Sequence, residues 1–271
     1  MLCNAGFPDR DLELATYLSR LHGKTRHHMS SSECESMSLA ELLRLADPQD
    51  HERWTNLRLE YTDPLGAPWL REAAASAYQR VSADELVCFA GAQEALYATL
   101  HALLRAGDHA IIVVPSYQSM ETLALSLCDV SGVALDPADN WSLDVNAVAA
   151  ALRPNTRMVV ISFPNNPTGK QLEQDRFDAL PTLCRNRGIW LLSDEVYRLT
   201  ERDRCAGCRT RPTPTSAASP PACCQRLTAC PDCASAGSPA RTAGCCTGWQ
   251  RCGNISPRAT PGRARYSGPL R

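Results

Sequence analysis

Four short apolar runs constrain the fold of this chain more than any other feature. They are ELVCFA at residues 85–90, AIIVVP at 110–115, RMVVISFP at 157–164 and IWLLSDEVY at 189–197. The runs are rich in Val and Ile, and stretches with helical periodicity separate them. Short apolar runs that alternate with helices predict buried parallel strands. We therefore expect an α/β fold with a doubly wound, mostly parallel sheet up to Arg198.

Helical patterns lie between and before these runs. EALYATLHALLRAGD, at residues 94–108, has apolar residues at helical spacing, and we expect Gly107 at its C-terminal cap. Residues 145–152 and 177–184 are expected to form the helices that precede later strands. Two further patterns, DLELATYLSRL and SLAELLRLA, indicate a smaller N-terminal arm or subdomain, which we assign to residues 1–50. Residues 51–203 then form the large domain.

The composition changes sharply after Asp203. Residues 204–271 contain one acidic residue, no lysine, ten arginines, nine of the fourteen cysteines and nine of the nineteen prolines. Few large aliphatic residues remain to build a core, so we expect a disordered, low-complexity tail.

The rest of the composition bears on location and partners. The net charge of -1 gives no reason to expect a nucleic-acid partner, and no apolar run is long enough to span a membrane. Residues 1–6 lack the apolar core of a signal peptide, and the five cysteines before the tail show no pairing pattern. A cytoplasmic location is therefore expected.

Polar and small residues follow each apolar run, where ligands bind in open parallel sheets. After the first run, Gly91 begins a small-residue turn whose backbone N–H groups could hold a phosphate, although a plain tight turn fits equally well. Tyr117 follows the second run and either stacks on a ring or caps the core. After the third run, PNNPTG fixes a turn that carries two amides. In the fourth run Asp194 follows IWLLS, with Tyr197 three residues later, and a carboxylate directly after a buried strand requires a partner such as a protonated ring nitrogen.

These motifs resemble those of one enzyme family. PNNPTG at residues 164–169, followed by SDEVYR at 193–198, is a specific signature, and YTDPLGAPWLREA, GAQEAL and PSY precede it in the family's order. From about residue 50 to Arg198 the chain resembles the fold-type I pyridoxal-phosphate (PLP) enzymes, specifically the class I/II aminotransferases. The resemblance implies an aspartate aminotransferase-like large domain. It also implies transfer of an amino group between an amino acid and a 2-oxo acid.

The resemblance further implies roles for seven cofactor-binding residues. These are Ala92 and Gln93 for the phosphate, Tyr117 for stacking on the pyridine ring, Asn166 and Tyr197 for the ring's 3-oxygen, Asp194 for the pyridinium nitrogen, and Tyr61 for the phosphate of a neighbouring subunit. The last role implies a homodimer with shared sites.

The Schiff-base lysine of the family has no counterpart in this sequence. The lysines are Lys24, in the N-terminal arm, and Lys170, directly after PNNPTG, where the family has no catalytic residue. In the family the lysine follows SDEVYR in a motif like SKAYGLPGLRIGW, and here that region is the tail. We therefore assign no catalytic residue. The arginine that binds the phosphate, and the small C-terminal domain with the arginine that binds the substrate carboxylate, are also expected to be missing. We predict an incomplete, poorly soluble and inactive chain.

Three interpretations of the tail remain open. Cys205-x-x-Cys208 and Cys230-x-x-Cys233 have nearly zinc-ribbon spacing, although some such pairs arise by chance among nine cysteines. A disordered Pro/Ser/Thr linker fits the composition but does not explain the cysteines. The third interpretation is a shifted reading frame, which we favour, and no metal site is assigned.

The frameshift can be tested on the codons. If each true codon joins the third base of one codon to the first two bases of the next, Gln225 read as CAA and Arg226 read as AGR give AAG, a lysine codon. The neighbouring codons then permit the string SKAYGMPGLRIGW, close to the family motif. Asp203 and Arg204 permit proline, which places the shift near Asp203. An arginine-rich, lysine-poor tail is also typical of GC-rich DNA read out of frame.

Two other functions stay open. Fold-type I relatives include lyases and cyclising enzymes of amino-acid metabolism, and HHMSSSECESMSLAELL, at residues 27–43, has a weak resemblance to the N-terminal part of such proteins. The other alternative is a non-catalytic zinc-binding protein that uses the tail cysteines.

Overall fold

The computed structural model describes residues 13–21, 24, 26–27, 37–78 and 81–198, together with strands at residues 224–228 and 245–248. Among the helices of these residues, none has the length and apolar character needed to cross a membrane.

The secondary structure alternates between helices and strands from residue 86 onward. The helices are α1 (Glu13–Leu21), α2 (Leu39–Leu45), α3 (Pro48–Thr55), α4 (Pro68–Ala75), α5 (Ala92–Leu103), α6 (Gln118–Leu127), α7 (Val145–Ala150) and α8 (Gln174–Arg187). The strands are β1 (Leu86–Phe89), β2 (His109–Val114), β3 (Asp129–Ala134), β4 (Thr156–Ser162), β5 (Trp190–Asp194), β6 (Cys224–Thr228) and β7 (Cys245–Gly248).

Within the described residues, the strands form one sheet in the order β1-β7-β6-β5-β4-β2-β3. Neighbouring strands from β3 to β6 run parallel, whereas β7 is antiparallel to both β6 and β1. The sequence prediction of an α/β fold with a mostly parallel sheet is therefore confirmed.

The central strands are apolar on both sides because helices cover both faces of the sheet. On β2, Ile111 and Val113 pack with residues of α7 and α8, whereas Ala110 and Ile112 pack with residues of α5 and α6. Alternate residues of a strand point to opposite faces, so a continuous apolar run supplies both cores. Each large side chain buried in this way contributes about 1.5–3 kcal/mol.

The end of α5 differs from the prediction. The helix ends at Leu103 with Leu104 as its C-cap, whose N–H donates to the carbonyl of Leu100. Gly107, the expected cap, lies in the following turn at φ 91°. The side chain of Leu104 is buried in the core against α6, so the chain leaves the helix before it reaches the glycine. The edge strand β3 was not predicted either, because DVSGVA lacks a continuous apolar run and only Val133 in it is buried.

Two stretches of the tail depart from the prediction of disorder. β6 pairs parallel to β5, and β7 fills the position between β6 and β1. Main-chain hydrogen bonds hold such strands without requiring apolar side chains. The other residues of the tail, including the four cysteines of the CxxC pairs and the predicted boundary at Asp203, lie outside the described residues.

The N-terminal helices cover little of the domain. None of the residues of α1, α2 and α3 is buried. A contact to the large domain comes from α1, where the backbone N–H of Leu14 donates to Oε1 of Gln118 at 2.8 Å. The division into an arm at residues 1–50 and a large domain at 51–203 remains a prediction.

Candidate functional site

The carboxyl ends of β2, β4 and β5 bring three loops together. Tyr117 is the N-cap of α6 after β2, Asn166 lies in the loop after β4, and Asp194 is the last residue of β5. Nδ2 of Asn166 donates to the hydroxyl of Tyr197 at 3.3 Å, so the structure joins two of the predicted side chains directly. The pairing of Ser162 with Asp194 and the 3.1 Å bond from Phe163 N–H to the Asp194 carbonyl align the β4 and β5 loops.

Asp194 carries the most perturbed carboxyl group of this rim. Burial raises its pKa to about 6, and the neighbouring charge of Glu195 adds to the effect, whereas the N–H of Val196, at 3.0 Å from Oδ1, opposes it. Among the described residues no cationic side chain forms an ion pair with Asp194. A partly buried carboxylate with a raised pKa favours a nearby positive charge.

The start of α5 provides donors for an anion. No side chain caps the helix, whose N-cap is Gly91. The carboxylate of Glu94 accepts from Ala90 N–H at 2.7 Å, one residue before the cap. The N–H groups of Ala92 and Gln93 therefore lie at the positive end of the helix dipole, where a phosphate is stabilised. Ala92 and Tyr117 also pack against the same core cluster.

Asn165 connects the loops, a role that the sequence did not reveal. Its side chain is 3% exposed. Nδ2 donates to the carbonyls of Pro115 at 3.0 Å and Ser162 at 3.2 Å, while Oδ1 accepts from the hydroxyl of Thr168 at 2.7 Å. The only sequence signal was that PNNPTG carries two amides, of which Asn165 is the first.

Tyr61 is not brought to the other predicted residues. It is fully exposed in the segment between α3 and α4. Its predicted contact with a neighbouring subunit remains a prediction, as do the cofactor-binding roles of the other six residues.

Lys170 belongs to a different charge cluster. Its ammonium pairs with Glu173, the N-cap of α8. A hydrogen bond from Ser142 is the main cause of the lowered pKa of Asp139, and the charges of Arg176 and Lys170 add to that shift. Lys170 is thus held by the start of α8 rather than by the group around Asp194. Within the described residues, no cluster of His, Cys, Asp and Glu has the arrangement of a metal site.

Comparisons with known proteins agree on one family. A family model for aminotransferases of class I and II matches residues 32–255. The arginine–pyruvate transaminase of Pseudomonas aeruginosa is 35% identical over 144 residues, which are 51% of this chain and 36% of that protein. The methionine aminotransferase of Escherichia coli is 37% identical over 145 residues, which are 51% of this chain and 37% of that protein. These matches span little more than a third of the length of the curated relatives.

Solved structures show the same fold. A PLP-dependent aminotransferase from Streptococcus suis has a TM-score of 0.68 at 23% identity, covering 80% of this chain and 57% of that one. Aspartate aminotransferase from Thermus thermophilus has a TM-score of 0.64 at 23% identity, covering 80% of this chain and 56% of that one.

Proposed function

The chain belongs to the class I and II aminotransferases, a PLP-dependent family, and from this premise we propose that its strand-end site binds PLP. We further propose that the intact protein transfers an amino group between an amino acid and a 2-oxo acid. The observation that carries the proposal is the partly buried carboxyl group of Asp194, with its raised pKa, at the same strand ends as the Asn166–Tyr197 pair.

The residues of the site fit this cofactor. The carboxylate of Asp194 would hold a proton on the ring nitrogen, and the positive charge would in turn stabilise the carboxylate. Asn166 and Tyr197 would donate to the ring's 3-oxygen, and Tyr117 would stack on the ring. The N–H groups of Ala92 and Gln93 would bind the phosphate. When bound, PLP supplies an electron sink for the carbanion formed at the amino-acid α-carbon.

We propose that the sequence after about Asp203 is read out of frame. Support comes from Gln225 and Arg226, whose codons permit lysine in the shifted frame. On β6 these residues are paired with Leu192 and Ser193 of β5, directly before Asp194. The lysine of the shifted frame would therefore belong to the strand next to Asp194. The chain in its present frame would bind the cofactor without this nucleophile and would be inactive.

A cytoplasmic homodimer completes the proposal. The full exposure of Tyr61 supports a role outside its own subunit, since a tyrosine that serves a partner's phosphate must face away from its own core. In the dimer, each subunit would supply this hydroxyl to the site of the other.

The nucleotide sequence of the gene tests the proposed change of reading frame directly. Resequencing the region from codon 195 onward would reveal whether a single-base shift is present. A frame-restored chain is expected to transfer amino groups from amino acids to 2-oxo acids, and the same chain with its restored lysine replaced by alanine should not. An active chain in the present frame, or an inactive restored one, would contradict the proposal. Analysis of the products would separate amino transfer from a lyase or a cyclising reaction.

A further inference from the structure

The hydrogen-bonding capacity of Asn165 is used completely. A primary amide has two N–H donors and a carbonyl oxygen that accepts two bonds. The donors of Asn165 bond to the carbonyls of Pro115 and Ser162. Its Oδ1 accepts from the hydroxyl and the backbone N–H of Thr168, at 2.7 and 3.3 Å. This set also fixes the amide orientation, because a carbonyl must face a donor and an N–H must face an acceptor.

The backbone of Asn165 is held as firmly as its side chain. Its N–H donates to the carbonyl of Lys170 and its carbonyl accepts from Gly169 N–H, both at 2.8 Å. The turn that carries Asn166 is thereby closed at its base. A displacement of the Asn165 amide would break several of these bonds together.

The two ends of this network carry different parts of the candidate site. Pro115 is two residues before Tyr117, whereas Asn166 directly follows Asn165. The 3.0 Å bond to the Pro115 carbonyl is thus a direct link between the loop after β2 and the loop after β4. The Asn166–Tyr197 bond extends the link to the loop after β5.

We propose that Asn165 is a positioning residue that fixes the separation between Tyr117 and Asn166, and with it the orientation of the bound pyridine ring. The inference rests on the proposed function and adds a specific residue to it. Asn165 acts through Tyr117 and does not itself touch the ring.

The test uses the full 271-residue chain and pyridoxamine 5′-phosphate as the probe. This probe carries the same ring and phosphate and needs no lysine to bind. Affinity is measured by fluorescence titration, and the ring's orientation is followed by its induced circular dichroism.

Asn165→Asp is the informative variant. It has the same shape, but its carboxylate would face the carbonyls of Pro115 and Ser162 without a proton to donate. We expect binding to weaken about tenfold or more, with an altered dichroism of the bound probe. Thr168→Val is the matched control: it removes the hydroxyl's bond to Oδ1 and its bond from Lys170 N–H but leaves both Nδ2 bonds, and its affinity should stay within about twofold.

A double-mutant cycle separates positioning from general destabilisation. If Asn165 acts through Tyr117, the Asn165→Asp effect should largely disappear in a Tyr117→Ala background. If Asn165→Asp does not fold, as judged by thermal unfolding, Asn165→Ala takes its place in the same cycle. Alanine places no carboxylate against the carbonyls of Pro115 and Ser162.

The outcomes are distinguishable. If the unaltered chain does not bind the probe, the proposed function and this inference both fail. If it binds, and the Asn165 variant binds equally well with the same dichroism, only the inference fails. An undiminished Asn165 effect in the Tyr117→Ala background would also overturn it, because the residue would then act generally.

Discussion

At the scale of single residues, Asp194 combines a stability cost with a proposed functional role. Its carboxyl group is ionised at neutral pH although burial raises its pKa to about 6. The folded chain therefore binds a proton more tightly than the unfolded chain does. Stability from this proton is present below the ordinary pKa of 3.8 and is lost as the pH rises through about 6.

Asp194→Asn removes this cost, so we expect the variant to be more stable than the unaltered chain at about pH 8, by up to about 3 kcal/mol. The gain should shrink as the pH falls to about 3, below the ordinary pKa of 3.8, where the aspartate is mostly protonated in both states. Urea unfolding at the two pH values measures the difference. Glu72→Gln, at an exposed carboxylate on α4, is the control. Binding of pyridoxamine 5′-phosphate should weaken in Asp194→Asn. A variant that is less stable than the unaltered chain at about pH 8 and binds the probe equally well would contradict this account.

Sequence reasoning identified the residues at strand ends better than their connections. Asp194 and Asn166 lie at or just after the ends of apolar stretches, so the rule for parallel sheets and the family signature both select them. The role of Asn165 depends on the fold of a loop that meets another loop fifty residues earlier along the chain. No local pattern in PNNPTG specifies that contact.

At the scale of secondary-structure elements, β1 is held close to the segment before α4. Gly66 has a φ of +100°, and a Cβ added there would lie 2.6 Å from Cβ and 2.7 Å from Sγ of Cys88. The Nε of Arg71 donates to the Gly66 carbonyl, and Cys88 N–H donates to the carbonyl of Leu65. Glycine is required here by both conformation and space.

Gly66→Ala should therefore destabilise the chain by about 2–4 kcal/mol, since the strained backbone and the overlap with Cys88 add. Gly107→Ala is the control, because Gly107 has a similar φ of +91° but no atom within 4 Å of the added Cβ. Its cost should be about 1–2 kcal/mol. Denaturant unfolding of both variants gives the comparison. Equal losses would show that the contact with Cys88 contributes nothing.

His109, the first residue of β2, joins three strands at the end of the sheet opposite the candidate site. Its Nδ1 contacts the hydroxyl of Thr156 on β4 at 2.8 Å, and its Nε2 contacts the hydroxyl of Ser131 on β3 at 2.9 Å. Burial lowers the pKa of His109, the charge of Arg153 lowers it further, and Asp129 opposes both. The folded state therefore favours the neutral ring.

This histidine should make the fold sensitive to acid. As the pH falls below 6.5, the unfolded chain takes up a proton that the folded chain resists, so stability falls. We expect His109→Gln to reduce this loss, and His51→Gln, at an exposed position on α3, to leave it unchanged. The loss of stability in each protein is measured as the change in the urea midpoint of unfolding between about pH 7.5 and pH 5.5. An unaltered pH dependence in His109→Gln would contradict the expectation.

The elements themselves were predictable to different degrees. β2, β4 and β5 are buried on both faces and gave continuous apolar runs, whereas β3 lies at the edge of the sheet and gave none. The strands β6 and β7 could not be predicted, because CQRLT and CCTG contain almost nothing apolar. Their places follow from hydrogen bonding to neighbouring strands.

At the scale of the whole molecule, the tail strands determine whether the sheet is continuous. In the described part of the chain, β1 joins the other strands only through β7 and β6. Without them, β1 and β5 would each expose an unpaired edge, and such edges promote association between chains.

A chain that ends after Asp203 should therefore be less soluble than one that ends after Gln250, which keeps both tail strands. We expect the shorter chain to aggregate and the longer one to resemble the full chain in soluble yield. Size-exclusion chromatography of the three proteins tests this expectation. Equal behaviour of the two shortened chains would show that β6 and β7 do not stabilise the sheet.

The position of β6 and β7 also has a geometric meaning. The start of α5, which follows β1, and Asp194, which ends β5, are separated by three strand spacings, or about 14 Å at 4.7–4.9 Å each. The two tail strands act as a spacer whose width is set by the backbone alone. The proposed change of reading frame would replace side chains in this spacer, whereas its width depends on the backbone. Such a change would thus remove the proposed lysine while keeping the distance between the two ends of the candidate site.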